Sequence, residues 1–192
     1  MMRISRRKKH EVNMDRLKQL EALFARHGFT DFRWLDAADI VVSQWVRMKC
    51  LYGCVEYGRT ATCPPHTPSV AECEQFFREY RRIAVFHFEK RVDRPEDRHA
   101  WSRKLNLDLL KVEHEVFKAG YEKAFLLFLD SCNVCLECPG GQSACKEPKL
   151  ARPTADALAM DVFTTVRKIG YPIEVLSDYT QPMNRYAFLL VE

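Results

Sequence analysis

No apolar run in the sequence is long enough to cross a bilayer. The longest, such as Ala124–Leu129, fall far short of the ~20 residues that a transmembrane helix needs. The first ten residues are basic, with Arg3, Arg6, Arg7, Lys8 and Lys9, but the apolar segment of a secretory signal does not follow them. The expectation is therefore a cytoplasmic chain with no membrane association. Charge of one sign is scarce as well. Thirty Lys and Arg against 26 Asp and Glu leave +4, and no basic stripe interleaved with aromatics appears beyond the N-terminus, so nucleic acid is not an expected partner. Internal repeats and low-complexity linkers are absent. So are a G-x-S-x-G elbow, a phosphate-binding glycine loop and an H-E-x-x-H helix. These absences leave little for conventional acid–base catalysis. They leave open whether the chain turns over a substrate. His114, flanked by Glu113 and Glu115 in a helical pattern, reads as a surface residue. Glu89 and Asp130, near strand ends, become candidates only where they face a metal site.

What the sequence does have is cysteine: eight in 192 residues. An apolar content of 47% suffices for a core without disulfide staples. In a reducing compartment these residues are thiols or metal ligands.

Hydrophobic periodicity lays out the elements. A helix is expected over about Asn13 to His27, with Met14, Leu17, Leu20 and Phe24 at helical spacing and Gly28 as its stop. The β-branched Asp39–Val46 reads as a strand running into a Cys50–Cys54 loop. Ser69 and Glu72 form a capping box for the next helix, which carries Phe76, Phe77 and Tyr80. Strands are expected at Ile83–Phe88, Ala124–Leu129, Ile173–Leu176 and Tyr186–Val191. A long helix is expected over Glu96–Ala119, and another beginning near Pro153 and ending at Gly170. The reading is α/β (α+β): a basic tail over 1–12, then a single domain over 13–192. That domain holds a mixed sheet of about five strands, about four helices and two cysteine-bearing loops, each directly after a strand.

The second loop holds Cys132, Cys135, Cys138 and Cys145. A C-x₂-C-x₂-C run resembles the first three ligands of bacterial ferredoxin motifs. Two-residue gaps let successive thiolates reach different irons while backbone N–H groups turn toward the sulfurs. Pro139, Gly140 and Gly141 permit the sharp turn that returns Cys145. A [4Fe–4S] cluster is expected here, with a Cys₄ zinc site as the alternative; zinc sites more often pair two separated C-x₂-C knuckles. The first loop holds Cys50, Cys54 and Cys63, a candidate second metal site. Its spacing is not the C-x₃-C-x₂-C of radical enzymes that use adenosylmethionine. Cys73, His66 or a crossing-over Cys145 could complete it, although Cys73 shares a helical face with Phe77 and Tyr80 and fits a core position equally well.

These segments resemble a known family. Met48-Lys-Cys50-Leu-Tyr-Gly-Cys54, Tyr57-Gly58 and Cys63-Pro-Pro-His-Thr-Pro68 match the first half of its pattern. Cys132-x₂-Cys135-x₂-Cys138, Cys145-Lys-Glu-Pro148 and Arg152-Pro-Thr-Ala-Asp-Ala157 match the second. The family is that of small prokaryotic predicted metal-binding proteins, a cysteine-rich domain of unknown function. The resemblance runs from about Val42 to Val191 and leaves the basic start outside. It implies metal binding through cysteines and supplies no reaction.

The functional expectation is an iron–sulfur protein of redox type with one or two [4Fe–4S] clusters, passing electrons to a partner protein or reducing a small-molecule substrate. A non-catalytic zinc-binding interaction module, and a sulfur- or metal-handling enzyme acting at an open cluster iron, are the alternatives.

Overall fold

The computed structural model describes residues 15–178 and 180–192. The chain divides into two compact units, one ending at Thr30 and the other spanning Asp31–Glu192. In the first, helix α1 covers 15–26 and buries Leu17, Leu20, Leu23 and Phe24. Gly28, at φ 82°, stops it as expected. Asn13, Met14 and the basic run 1–12 lie outside the described residues.

The second unit is built on four antiparallel strands in the order β1-β2-β4-β3: β1 (Phe32–Asp36), β2 (Arg82–Lys90), β3 (Phe125–Leu127) and β4 (Met183–Leu190). Trp34 pairs with Ala84, Phe86 with Ala187 and Leu126 with Leu189. The class is the expected one. The strands are four rather than about five, and the one parallel pairing among the described residues is an isolated bridge, Phe128 to Thr154. Ile83, Ala84, Val85 and Phe86 are all fully buried, so the sheet is covered on both faces. Ile83, Val85, Tyr186, Phe188 and Leu190 pack one face against Phe77, Met160 and Val166.

Four helices accompany the sheet: α2 (Gln44–Gly53), α3 (Val70–Arg78), α4 (Asp97–Lys118) and α5 (Val162–Lys168). The capping box of α3 is present, Ser69 N–H donating to Glu72 Oε2 at 2.8 Å and Glu72 N–H to Ser69 Oγ at 3.3 Å. α4 ends at Gly120, φ 94°. Its Glu113 accepts Leu126 N–H at 2.8 Å, and its Asn106 accepts Leu129 N–H at 3.3 Å. Glu113 thereby covers an outer N–H of β3, an edge that would otherwise template pairing, and Asn106 covers one just past its end.

Three expected elements are different. Asp39–Val46 is not a strand. Its β-branched residues make only a bridge, Val42 to Met160, with Asp161 N–H donating to Val41 O at 2.7 Å. The helix-favouring Gln44, Arg47, Met48 and Lys49 then take over, so Cys50 lies in the last turn of α2 and Cys54 at its C-cap. Ile173–Leu176 is irregular and Val175 is exposed; Pro172 before it withholds an N–H from any ladder. No helix begins at Pro153. Its carbonyl accepts Phe128 N–H at 2.9 Å, a 3-10 turn covers Asp156–Leu158, and Ala159 at φ 59° breaks the run. α5 then starts behind Asp161, whose carboxylate accepts Thr164 N–H at 3.0 Å.

Candidate metal centre

The second cysteine loop follows β3 and is bolted to α4. Arg103 donates to Val134 O through Nε at 3.2 Å and its terminal nitrogen at 2.9 Å. The fully buried Asn106 donates to Asn133 Oδ1 at 3.1 Å, and Asn133 donates to Ser102 Oγ at 2.9 Å. Arg152, at the far end of the loop, grips Glu113 with two bonds of 3.0 and 2.9 Å. Bidentate geometry and burial make this pair stronger than a surface ion pair. Cys132, Cys135, Cys138 and Cys145 all line one small cavity of about 10 Å³, with Val134 and Ala61. Burial raises the Cys132 pKa, while backbone N–H groups of Val134 and Arg152 donate to its sulfur and pull the other way. Cys145 lines this cavity and also the one it shares with His66 and Cys73.

Cys50, Cys54 and Cys63 are electrostatic neighbours. Burial, then Asp156 and Cys54, push Cys50 up to about 11. Burial, Asp156 and Cys54 also raise Cys63, against the pull of a hydrogen bond with Thr60. Asp156 belongs to this group; it falls within the Arg152–Ala157 segment of the family resemblance but nothing there singles it out, because only the fold sets its 3-10 turn beside α2. Arg47 fastens the arrangement, donating to Thr67 Oγ1 at 2.9 Å and to Pro68 O and Ala157 O at 3.1 Å each. Cys73 is buried among Phe77 and Tyr80 in the apolar core, its sulfur 3.6 Å from Pro68 O. His66 turns toward the other loop, where Gln142 donates to its carbonyl at 2.8 Å. Glu89 and His114 are exposed. Asp130 is half-enclosed between Arg98 and Arg185, at 3.3 and 3.8 Å.

The two cysteine loops therefore meet. Besides the Gln142–His66 bond, a Cβ on Gly140 would stand 3.4 Å from Arg59 O, and a cavity of about 510 Å³ between the loops is lined by Ala61, His66, Cys73, Gln142 and Cys145. Among the described residues, no three His, Cys, Asp or Glu side chains converge so as to hold a metal ion as they stand. The donor chemistry nonetheless fits a soft cation. Half-buried thiols beside one another and a carboxylate resist ionising together, and a bound cation reverses that preference.

A single sheet bearing two apposed cysteine loops is the framework of a thiol-rich α/β domain. The chain belongs to the family described as "Predicted metal-binding protein (DUF2284)", which it matches over residues 33–191; the resemblance of its paired cysteine motifs pointed to that family. No match is found among curated proteins or among solved structures. Among the described residues, no helix is long and apolar enough to cross a membrane.

Proposed function

We propose that the protein is an iron–sulfur protein of redox type, with a [4Fe–4S] cluster on Cys132, Cys135, Cys138 and Cys145 and a second cluster on Cys50, Cys54 and Cys63. The observation that carries this reading is the lining of one cavity by all four thiols of the ferredoxin-like run, with backbone N–H groups already directed at Cys132. Such N–H···S bonds stabilise the more negative state of a cluster and tune its potential. A bound cluster supplies one-electron chemistry. The chain holds its ligands on α4 through Arg103, Asn106 and Asn133, and cushions Arg152 with Glu113. With three thiols and Asp156 close by, the first site is less completely enclosed by sulfur than the second and suits substrate binding. Leu136, Tyr52 and Val55, exposed at 91%, 82% and 76%, flank the two loops and offer apolar contact area to a redox partner.

One observation favours a zinc site. The cavity among the four thiols is about 10 Å³, room for a single ion, whereas a cubane needs the loop to spread at Gly140 and Gly141. Protein made anoxically with ample iron separates the readings. The proposal expects a brown protein absorbing near ~400 nm, with iron and acid-labile sulfide in equal amounts. Colourless protein with stoichiometric zinc and no sulfide would overturn it in favour of a zinc module.

A further inference from the structure

One cavity of the second unit opens beside the first cysteine loop. It measures about 760 Å³ and lies where β3 ends and β4 begins, with Cys50 and Cys54 on one wall and Asp130 and Arg185 on another. Trp45, Phe128 and Phe163 supply much of its apolar surface. A volume of this order, mostly apolar with a few convergent polar groups, is that of a small-molecule site.

Its charged wall centres on Arg185. Two guanidiniums, Arg98 and the cavity-lining Arg185, share the single carboxylate of Asp130 at 3.3 and 3.8 Å. The side chains of Arg185 and Asp130 are only 29% and 12% exposed. Among the described residues, Arg98 Nε, Arg185 Nε and Asp130 Oδ2 are buried without a hydrogen-bond partner, and an Arg185 terminal nitrogen donates to Asn184 O over a long 3.4 Å. A half-buried cation this poorly satisfied is costly, and a ligand oxyanion would relieve it. Of the other carboxylates facing the cavity, Asp161 is committed to the cap of α5, and Asp156, exposed and by the thiols, acts on Arg185 through its charge. Lys49 and Arg167 add two exposed cations to the lining, Arg167 donating to Ile173 O at 3.0 Å.

We infer that this cavity binds a small molecule with an apolar body and one oxyanion, carboxylate or phosphate, whose anion rests on Arg185 and whose body lies toward Cys50 and Cys54. As the substrate pocket of the first metal site this rests on the proposed function; the anion binding itself does not. Calorimetry on the anoxically purified full chain tests it, with benzoate, phenyl phosphate and benzylamine as probes and metal and sulfide measured on the same samples. One of the two anions is expected to bind one per chain, which identifies the oxyanion, and benzylamine is expected not to bind. Arg185→Gln should weaken binding at least tenfold. Lys49→Glu, an exposed change compatible with folding, should weaken it about threefold or more, and Lys111→Gln on the outer side of α4 should leave it unchanged. Anion binding that survives in protein free of metal upholds the cavity assignment even where the cluster reading fails. Absence of binding by both anions, equal binding of benzylamine, or affinity indifferent to Lys49→Glu would overturn the inference.

Discussion

Chemically identical thiols are separated by their surroundings. Cys73 touches Phe77 and Tyr80 in the core, whereas Cys135 lines the four-thiol cavity. Cys135→Ala should lose the metal of the second loop and lower the melting temperature, because ligand binding and folding are coupled. Cys73→Ala should keep its metal and lose about 1 kcal/mol of packing. Metal analysis beside thermal melts reads both, and equal loss of metal in the two variants would contradict the assignment. Asp31 shows a similar dependence on neighbours. Burial pushes its carboxyl up, but hydrogen bonds with His87 and Tyr171, together with the charges of His87 and Arg33, outweigh it and hold the pKa below 3.8. A lowered folded value means stabilisation that is complete above the unfolded value and lost as pH falls through the folded one. The stability difference between wild type and Asp31→Asn should therefore be largest near neutrality and shrink below pH ~4. Denaturant melts across that range measure it.

At the scale of elements, α4 is the anchor of the second loop. It meets the loop with Ser102, Arg103 and Asn106 and meets β3 with Glu113. Glu113→Ala leaves Arg152 and the Leu126 N–H without their partner and should cost roughly 3–5 kcal/mol, as for other broken buried pairs. Asn106→Ala should cost about 1–3 kcal/mol by orphaning the Leu129 N–H, and should weaken metal retention more than its effect on global stability implies. Hydrogen exchange of the 130–152 segment, compared with that of β2, distinguishes a loosened loop from a destabilised fold.

Across the second unit, the two cysteine loops, far apart in sequence, meet through the Gln142–His66 hydrogen bond. Gly140 holds φ 78° with Arg59 O beside it, a conformation that costs a side-chain-bearing residue about 1–2 kcal/mol. Gly140→Ala should strain the turn and press on the first loop, lowering metal content at both sites. Gly53→Ala, at a position with open space around it, should leave the metal content of the second loop unchanged. Paramagnetic resonance of the reduced proteins, with metal content, checks the pair; loss confined to the second site would show the loops to be independent.

Much was legible in the sequence because its causes are local. The Ser69–Glu72 box, the stop at Gly120, the strands at Ile83–Phe88 and Tyr186–Val191 and the core position of Cys73 follow from caps, periodicity and side-chain size. The compact C-x₂-C-x₂-C run was legible as a loop because its spacing and the Pro139-Gly140-Gly141 turn are local. The strand expected at Asp39–Val46 failed because the β-branched Ile40, Val41 and Val42 found only a bridge partner, and helix formers after Ser43 had no competing ladder. The helix expected from Pro153 was divided because Pro153 and Thr154 were taken up beside Phe128. Arg185 had no signal, and Asp156 none beyond its place in the Arg152–Ala157 motif: each is one charge among many, and acquires meaning only when the 3-10 turn is laid beside α2 and β4 beside Asp130. Ligand type and spacing were determined by the chain itself, since they depend on bonds and short turns. Which thiols share a cavity, which carboxylate stands by them and which guanidinium is left under-bonded were decided by the tertiary structure, because burial and electrostatic neighbourhood exist only between segments that folding brings together.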